Sequence, residues 1–98
     1  ERVRISLIIA YGSDIDEVKS LLKDIALKNK NVQNEPEPRV RFREFAESGL
    51  KLQLLFWIYK PEIRGKTVDR VNTEIYKQFA LNNISIPYPT MKVLMPEK

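Results

Sequence analysis

The chain has 98 residues, with 17 Lys and Arg against 13 Asp and Glu for a formal net charge of +4, and it contains neither cysteine nor histidine. Those zeros remove disulfides, thiol nucleophiles and cysteine-based zinc sites, along with the side chain that most often acts as a general base near neutral pH. Glycines at positions 12, 49 and 65 are too scattered for a phosphate-cradling loop. Composition therefore argues against most enzyme classes, and neither a catalytic residue nor a metal or other cofactor is expected.

The length suits one domain. A hydrophobic content of 43% beside 31% charged residues describes a globular chain with a core. The longest apolar runs, Leu7 to Tyr11 and Leu54 to Tyr59, fall far short of the ~20 residues that cross a bilayer. No leader peptide is expected, because Glu1-Arg2-Val3-Arg4 runs straight into an alternating pattern. The start at Glu1 suggests a piece of something longer. The modest positive charge does not by itself call for a nucleic acid.

Val3, Ile5, Leu7, Ile9 and Tyr11 alternate with Arg2, Arg4 and Ser6, which predicts a first strand with one buried face. Gly12-Ser13-Asp14 breaks it, and Ser13 is the expected N-cap of a helix opening on Asp14, Asp16 and Glu17. The acidic group reads as helix capping rather than a cation site, since the positive end of a helix repels metal. Ile15, Val18, Leu22 and Ile25 give that helix its apolar stripe, and Lys28 and Lys30 complement its C-terminal end. Residues 31–38 (NVQNEPEP) predict an exposed loop, without the spacing of a calcium loop.

Residues 39–43 alternate again, and Glu44-Phe45-Ala46 slips out of register as a bulge or a strand end would. A short turn at Glu47-Ser48-Gly49 leads to Leu50, Leu52, Leu54, Phe56 and Ile58, so the two strands form an antiparallel hairpin. A loop over 60–65 precedes a second helix on Val68, Val71, Ile75 and Phe79, ending near Asn82-Asn83. Ile84 and Ile86 open a last strand, broken by Pro87 and Pro89 and resumed over Met91 to Met95. The order βαββαβ predicts an α+β, ferredoxin-like sandwich, with both helices on one face of a four-stranded antiparallel sheet. The fourth strand belongs at an edge, where a proline costs little. The expected division is a domain over 1–86 and a proline-rich turn with a terminal strand over 87–98.

Two surfaces stand out. Leu55, Trp57 and Tyr59 make the sheet face opposite the helices apolar and aromatic toward one end, the mark of a contact surface. RNA-recognition motifs share the fold and stack bases there, but the first strand offers no aromatic on that face and the basic-Gly-aromatic pattern is missing. A ligand-sensing domain of the ACT type is a further alternative with the same fold. The second surface is the tail, whose apolar strand at a chain end needs a partner, and a closed ring of such strands from several copies leaves no edge.

These residues resemble a known family. Tyr11-Gly12-Ser13-Asp14-Ile15-Asp16, with Val18, is similar to the motif opening the α/β domain of the small-conductance mechanosensitive channel (MscS) family. Asn83-Ile84-Ser85-Ile86-Pro87-Tyr88-Pro89-Thr90-Met91 and Val93 resemble that family's Gly-Ile and Pro-aromatic-Pro ending. The resemblance implies a homoheptameric, tension-gated channel of the cell membrane, with its membrane helices upstream of Glu1. Seven such domains would form a cytoplasmic vestibule with side portals, filtering ions and small osmolytes. It also implies that Pro87, Tyr88 and Pro89 turn the chain into a barrel strand made of Met91, Lys92, Val93, Leu94 and Met95. Asn83 replaces the usual glycine, a change that a left-handed helix end tolerates. Thr90 stands where glutamine is common, and Lys92 where an acid is common.

Overall fold

The computed structural model describes residues 1–87. Three strands and two long helices alternate along it: β1 (Arg2–Ile9), α1 (Ile15–Leu27), β2 (Arg39–Phe45), β3 (Leu50–Trp57) and α2 (Arg64–Leu81). The strands form one antiparallel sheet in the order β1-β3-β2. Thus β3, the most apolar strand, lies at the centre and the two arginine-bearing strands flank it. Alternation fixes the faces. Leu50, Leu52, Leu54, Phe56 and Ile58 are buried beneath the helices together with Val3 and Ile9.

The helices close this core because their apolar residues recur once per turn. On α1 the buried residues are Val18, Leu22, Ile25 and Ala26, and on α2 they are Thr67, Val71, Ile75 and Phe79. Each large aliphatic side chain removed from water in this way contributes about 1.5–3 kcal/mol. The hairpin stands as the pattern predicts, and of the two readings of the slip the bulge is the one found, between Phe42 and Glu44 and so just ahead of Glu44-Phe45-Ala46. The extra residue brings Phe42 and Phe45 onto one side, their rings edge-to-face at 5.0 Å, although Phe45 remains 74% exposed.

Four local expectations are corrected. The N-cap of α1 is Asp14, whose carboxylate accepts the Glu17 N–H at 3.1 Å, while the Ser13 hydroxyl instead donates to the Ala10 carbonyl at 2.7 Å. The 31–38 loop is not uniformly exposed: Asn31, Val32 and Pro38 are buried, and Val32 bridges to Ile58. The 60–65 segment is not a loop throughout, because a single 3-10 turn at Pro61–Ile63 runs directly into α2 at Arg64. Gly65 is therefore helical. Finally, residues 84–87 form no strand, and the rest of the expected fourth strand lies outside the described residues.

The end of α2 is a Schellman motif. Asn83 takes a positive φ of 57°, the Ile84 N–H donates to the Phe79 carbonyl at 2.9 Å, and the Asn83 N–H donates to Ala80 at 3.4 Å. Ile84 then packs against the core. The left-handed conformation read for Asn83 is the one it adopts.

Candidate functional site

The corner between β1 and α1 holds the residues Tyr11, Gly12, Ser13 and Asp14. Gly12 has a φ of +94°, which a side chain would strain. Ser13 binds Ala10 through both its N–H and its hydroxyl, and Asp14 caps the helix. The Tyr11 hydroxyl donates to the Ala46 carbonyl, so it ties this corner to the β2–β3 turn. Glu47 to Gly49 close on the same place. Gly49 is buried against the end of β1, where an added Cβ would stand 2.8 Å from Ile8 Cγ2 and closer still to the Ile9 carbonyl. The polar side chains of Tyr11, Ser13 and Asp14 each have an architectural use.

At the opposite end of the sheet, Asn31 is the hub of a buried polar network. Its side-chain oxygen accepts the Lys60 N–H at 2.9 Å, and its amide donates to the Thr67 hydroxyl at 2.9 Å and to the Lys60 carbonyl at 3.2 Å. The Thr67 hydroxyl in turn donates to Ile63 at 2.8 Å. The network joins the loop after α1 to the start of α2 and leaves no amide group of Asn31 unpaired, as burial requires. Above it lies an open groove of about 770 Å³, walled by Lys28 and Lys30 on one side and Lys66, Arg70 and Lys77 on the other. Sequence reading missed both features, because their residues come from segments about thirty positions apart. The detectable trace was the cationic stripe at 66, 70 and 77.

The face of the sheet turned away from the helices is the third surface. Pairing sets Arg4 and Arg39 on either side of Leu55, Ser6 and Arg41 on either side of Gln53, and Ile8 and Glu44 on either side of Lys51. Arg2 stands beside Trp57. Leu55 is only 5% exposed, although no helix covers this side. The aliphatic stems of its two arginine neighbours are placed to shield it while their charged heads reach water. Trp57 is half-buried, and Tyr59 lies beyond the strand with 59% exposure and its N–H on the Asn31 carbonyl. This face therefore carries cations on its flanking strands and Leu55 and Trp57 along its centre strand.

The chain leaves α2 toward the end of β1, where the Ala10 N–H donates to the Ser85 carbonyl at 2.9 Å. Pro87 is half-buried. Tyr88, Pro89, Met91, Lys92, Val93, Leu94 and Met95 lie outside the described residues. Among the described residues no helix is long and apolar enough to cross a membrane, and no three or more acidic residues gather as a metal site.

Comparison with known proteins agrees with the architecture. The sequence model of the family described as "Mechanosensitive ion channel MscS, C-terminal" matches residues 3–86. The mechanosensitive channel MscK of Escherichia coli is 34% identical over 92 residues, covering 94% of this chain and 8% of MscK. An uncharacterised MscS family protein of Haemophilus influenzae is 32% identical over 94 residues, covering 96% of this chain and 8% of that protein. The crystal structure of Helicobacter pylori MscS in its closed state shares the fold with a TM-score of 0.73 at 22% identity, over 90% of this chain and 35% of that one. The chain thus spans a small part of the proteins it matches. A family match across almost the whole described length, on a fold shared with a solved member, means that the chain belongs to the MscS mechanosensitive ion channel family and is a C-terminal domain of it.

Proposed function

We propose that this domain is a wall module of the cytoplasmic vestibule of a tension-gated channel, one of seven copies below a membrane pore. It carries out no chemistry. Its contribution is shape: a rigid block whose neighbours leave portals between them, through which ions and small osmolytes pass. In this reading residues 87–98 leave the sandwich, Pro87, Tyr88 and Pro89 set the direction, and Met91, Lys92, Val93, Leu94 and Met95 pair with the same residues of adjacent copies in a closed barrel.

The observation that carries this reading is the exit from α2. A left-handed Asn83 reverses the chain, and the Ala10–Ser85 hydrogen bond holds it against the end of β1, so the proline-rich segment starts from a fixed point. A tail launched from a fixed point on each copy suits symmetric assembly better than a loose linker. The test is native mass spectrometry of the full-length protein in detergent, with and without residues 91–95. Seven copies are expected for the intact protein, and a lower or mixed stoichiometry after deletion. An intact protein that is not heptameric, or a deletion that leaves the heptamer as stable as before, would refute the assignment.

A further inference from the structure

We infer that the open face of the sheet is a docking surface for an acidic, extended protein segment, centred on the Arg4–Leu55–Arg39 row. The charge pattern carries the argument. Arg2, Arg4, Arg39, Arg41 and Lys51 project on this side, against Glu44 as the single acid in register with them. The chain as a whole has 17 bases and 13 acids, so this face is segregated from the average composition. The ion pairs among the described residues, Lys23–Glu37 and Arg64–Glu1, both lie elsewhere, so none of these five cations is in an ion pair among the described residues.

Solubility alone does not call for this arrangement, since a solvated sheet face normally mixes both signs. Repelling cations around a half-buried tryptophan and a shielded leucine match the anatomy of an interaction patch, where arginine and tryptophan recur as anchors. Arginine forks take carboxylates in pairs, and the spacing of alternate residues along β1 and β2 matches that of alternate acids on an extended chain. An acidic peptide fits better than a nucleic acid. Base stacking on such a sheet uses two or three aromatics, and this face has Trp57 alone between its three strands.

Trp57 is the only tryptophan in the chain and therefore reports on this face directly. The 98-residue chain is titrated at low and at physiological salt with a synthetic peptide alternating glutamate and serine around one central leucine, and tryptophan emission is followed. Saturable, salt-sensitive binding is expected. Arg4→Gln combined with Arg39→Gln keeps the side-chain stems over Leu55 and should weaken binding about tenfold or more. Arg4→Lys with Arg39→Lys should retain it within a few-fold, and Lys66→Ala with Arg70→Ala, in the helix groove, should leave it unchanged. Circular dichroism confirms that each variant is folded. Four outcomes overturn the proposal: no binding at low salt, equal binding of a matched lysine peptide, an equal response to free glutamate at the same carboxylate concentration, or tighter binding of oligouridine RNA.

Discussion

Two glycines illustrate how one residue type meets opposite constraints. Gly49 is pressed against the end of β1, and any side chain there overlaps the Ile9 carbonyl and the Ile8 methyl. The backbone carbonyl cannot swing aside as a flexible side chain would. Gly65 has open space around its Cα and sits in the first turn of α2, where alanine loses less backbone entropy on folding. Gly49→Ala should therefore destabilise the domain by about 1–3 kcal/mol, the usual range for overpacking. Gly65→Ala should stabilise it by about 0.5–1 kcal/mol. Urea unfolding of the two variants checks both signs, and a Gly49→Ala midpoint equal to that of the parent would show that the turn yields.

Among the elements, strand and helix interiors are the parts the residue pattern reveals, because burial on one face imposes a period that survives in sequence. Val3, Ile5, Leu7 and Ile9 cannot be read as anything but a strand, and Val71, Ile75 and Phe79 fix the face of α2. Ends are less visible. Gly65 and Pro61 look like loop residues, yet a 3-10 turn into the first turn of a helix accommodates both. Asn31 reads as a loop asparagine because its partners Lys60 and Thr67 lie 29 and 36 positions away. The cationic character of the open face needed the pairing register, since Arg4 and Arg39 become neighbours of Leu55 only once three strands are assembled. The C-terminal end of α2 was legible, as asparagine is the next residue after glycine to tolerate a left-handed turn. At a φ of 57° Asn83→Gly should be neutral or stabilising by a few tenths of a kcal/mol, whereas Asn83→Val should cost about 1–2 kcal/mol. Thermal melts of the pair distinguish a cap that holds Ile84 on the core from a frayed end, for which the two variants would melt together.

At the scale of the whole molecule, the two faces of the sheet differ in what holds them. One is sealed by helices and gains from burial; the other gathers positive charge, with Glu44 as its one acid in register and no ion pair on it among the described residues. Arg4 and Arg39 flank Leu55 two strand spacings apart, about 9–10 Å, so each such pair repels by roughly 0.4 kcal/mol in water. Arg2 with Arg4 and Arg39 with Arg41 are closer still along their strands. Screening acts over about 30 Å at 0.01 M salt and about 10 Å at 0.1 M, so raising salt through that range removes a substantial share of the repulsion. The domain should therefore melt a few degrees higher at about 0.2 M than at about 0.01 M sodium chloride, each kcal/mol corresponding to roughly 4–8 °C at this size. Arg39→Glu sets an acid among Arg4, Arg41 and Gln53, so it should raise the low-salt midpoint and flatten or invert the salt dependence. If the parent melts at the same temperature across that range, the cations do not sense one another and the low-salt strain on this face does not exist. If the midpoint rises as expected, the same repulsion is what a carboxylate-bearing partner would relieve on docking, and its relief would add to the affinity most at low ionic strength.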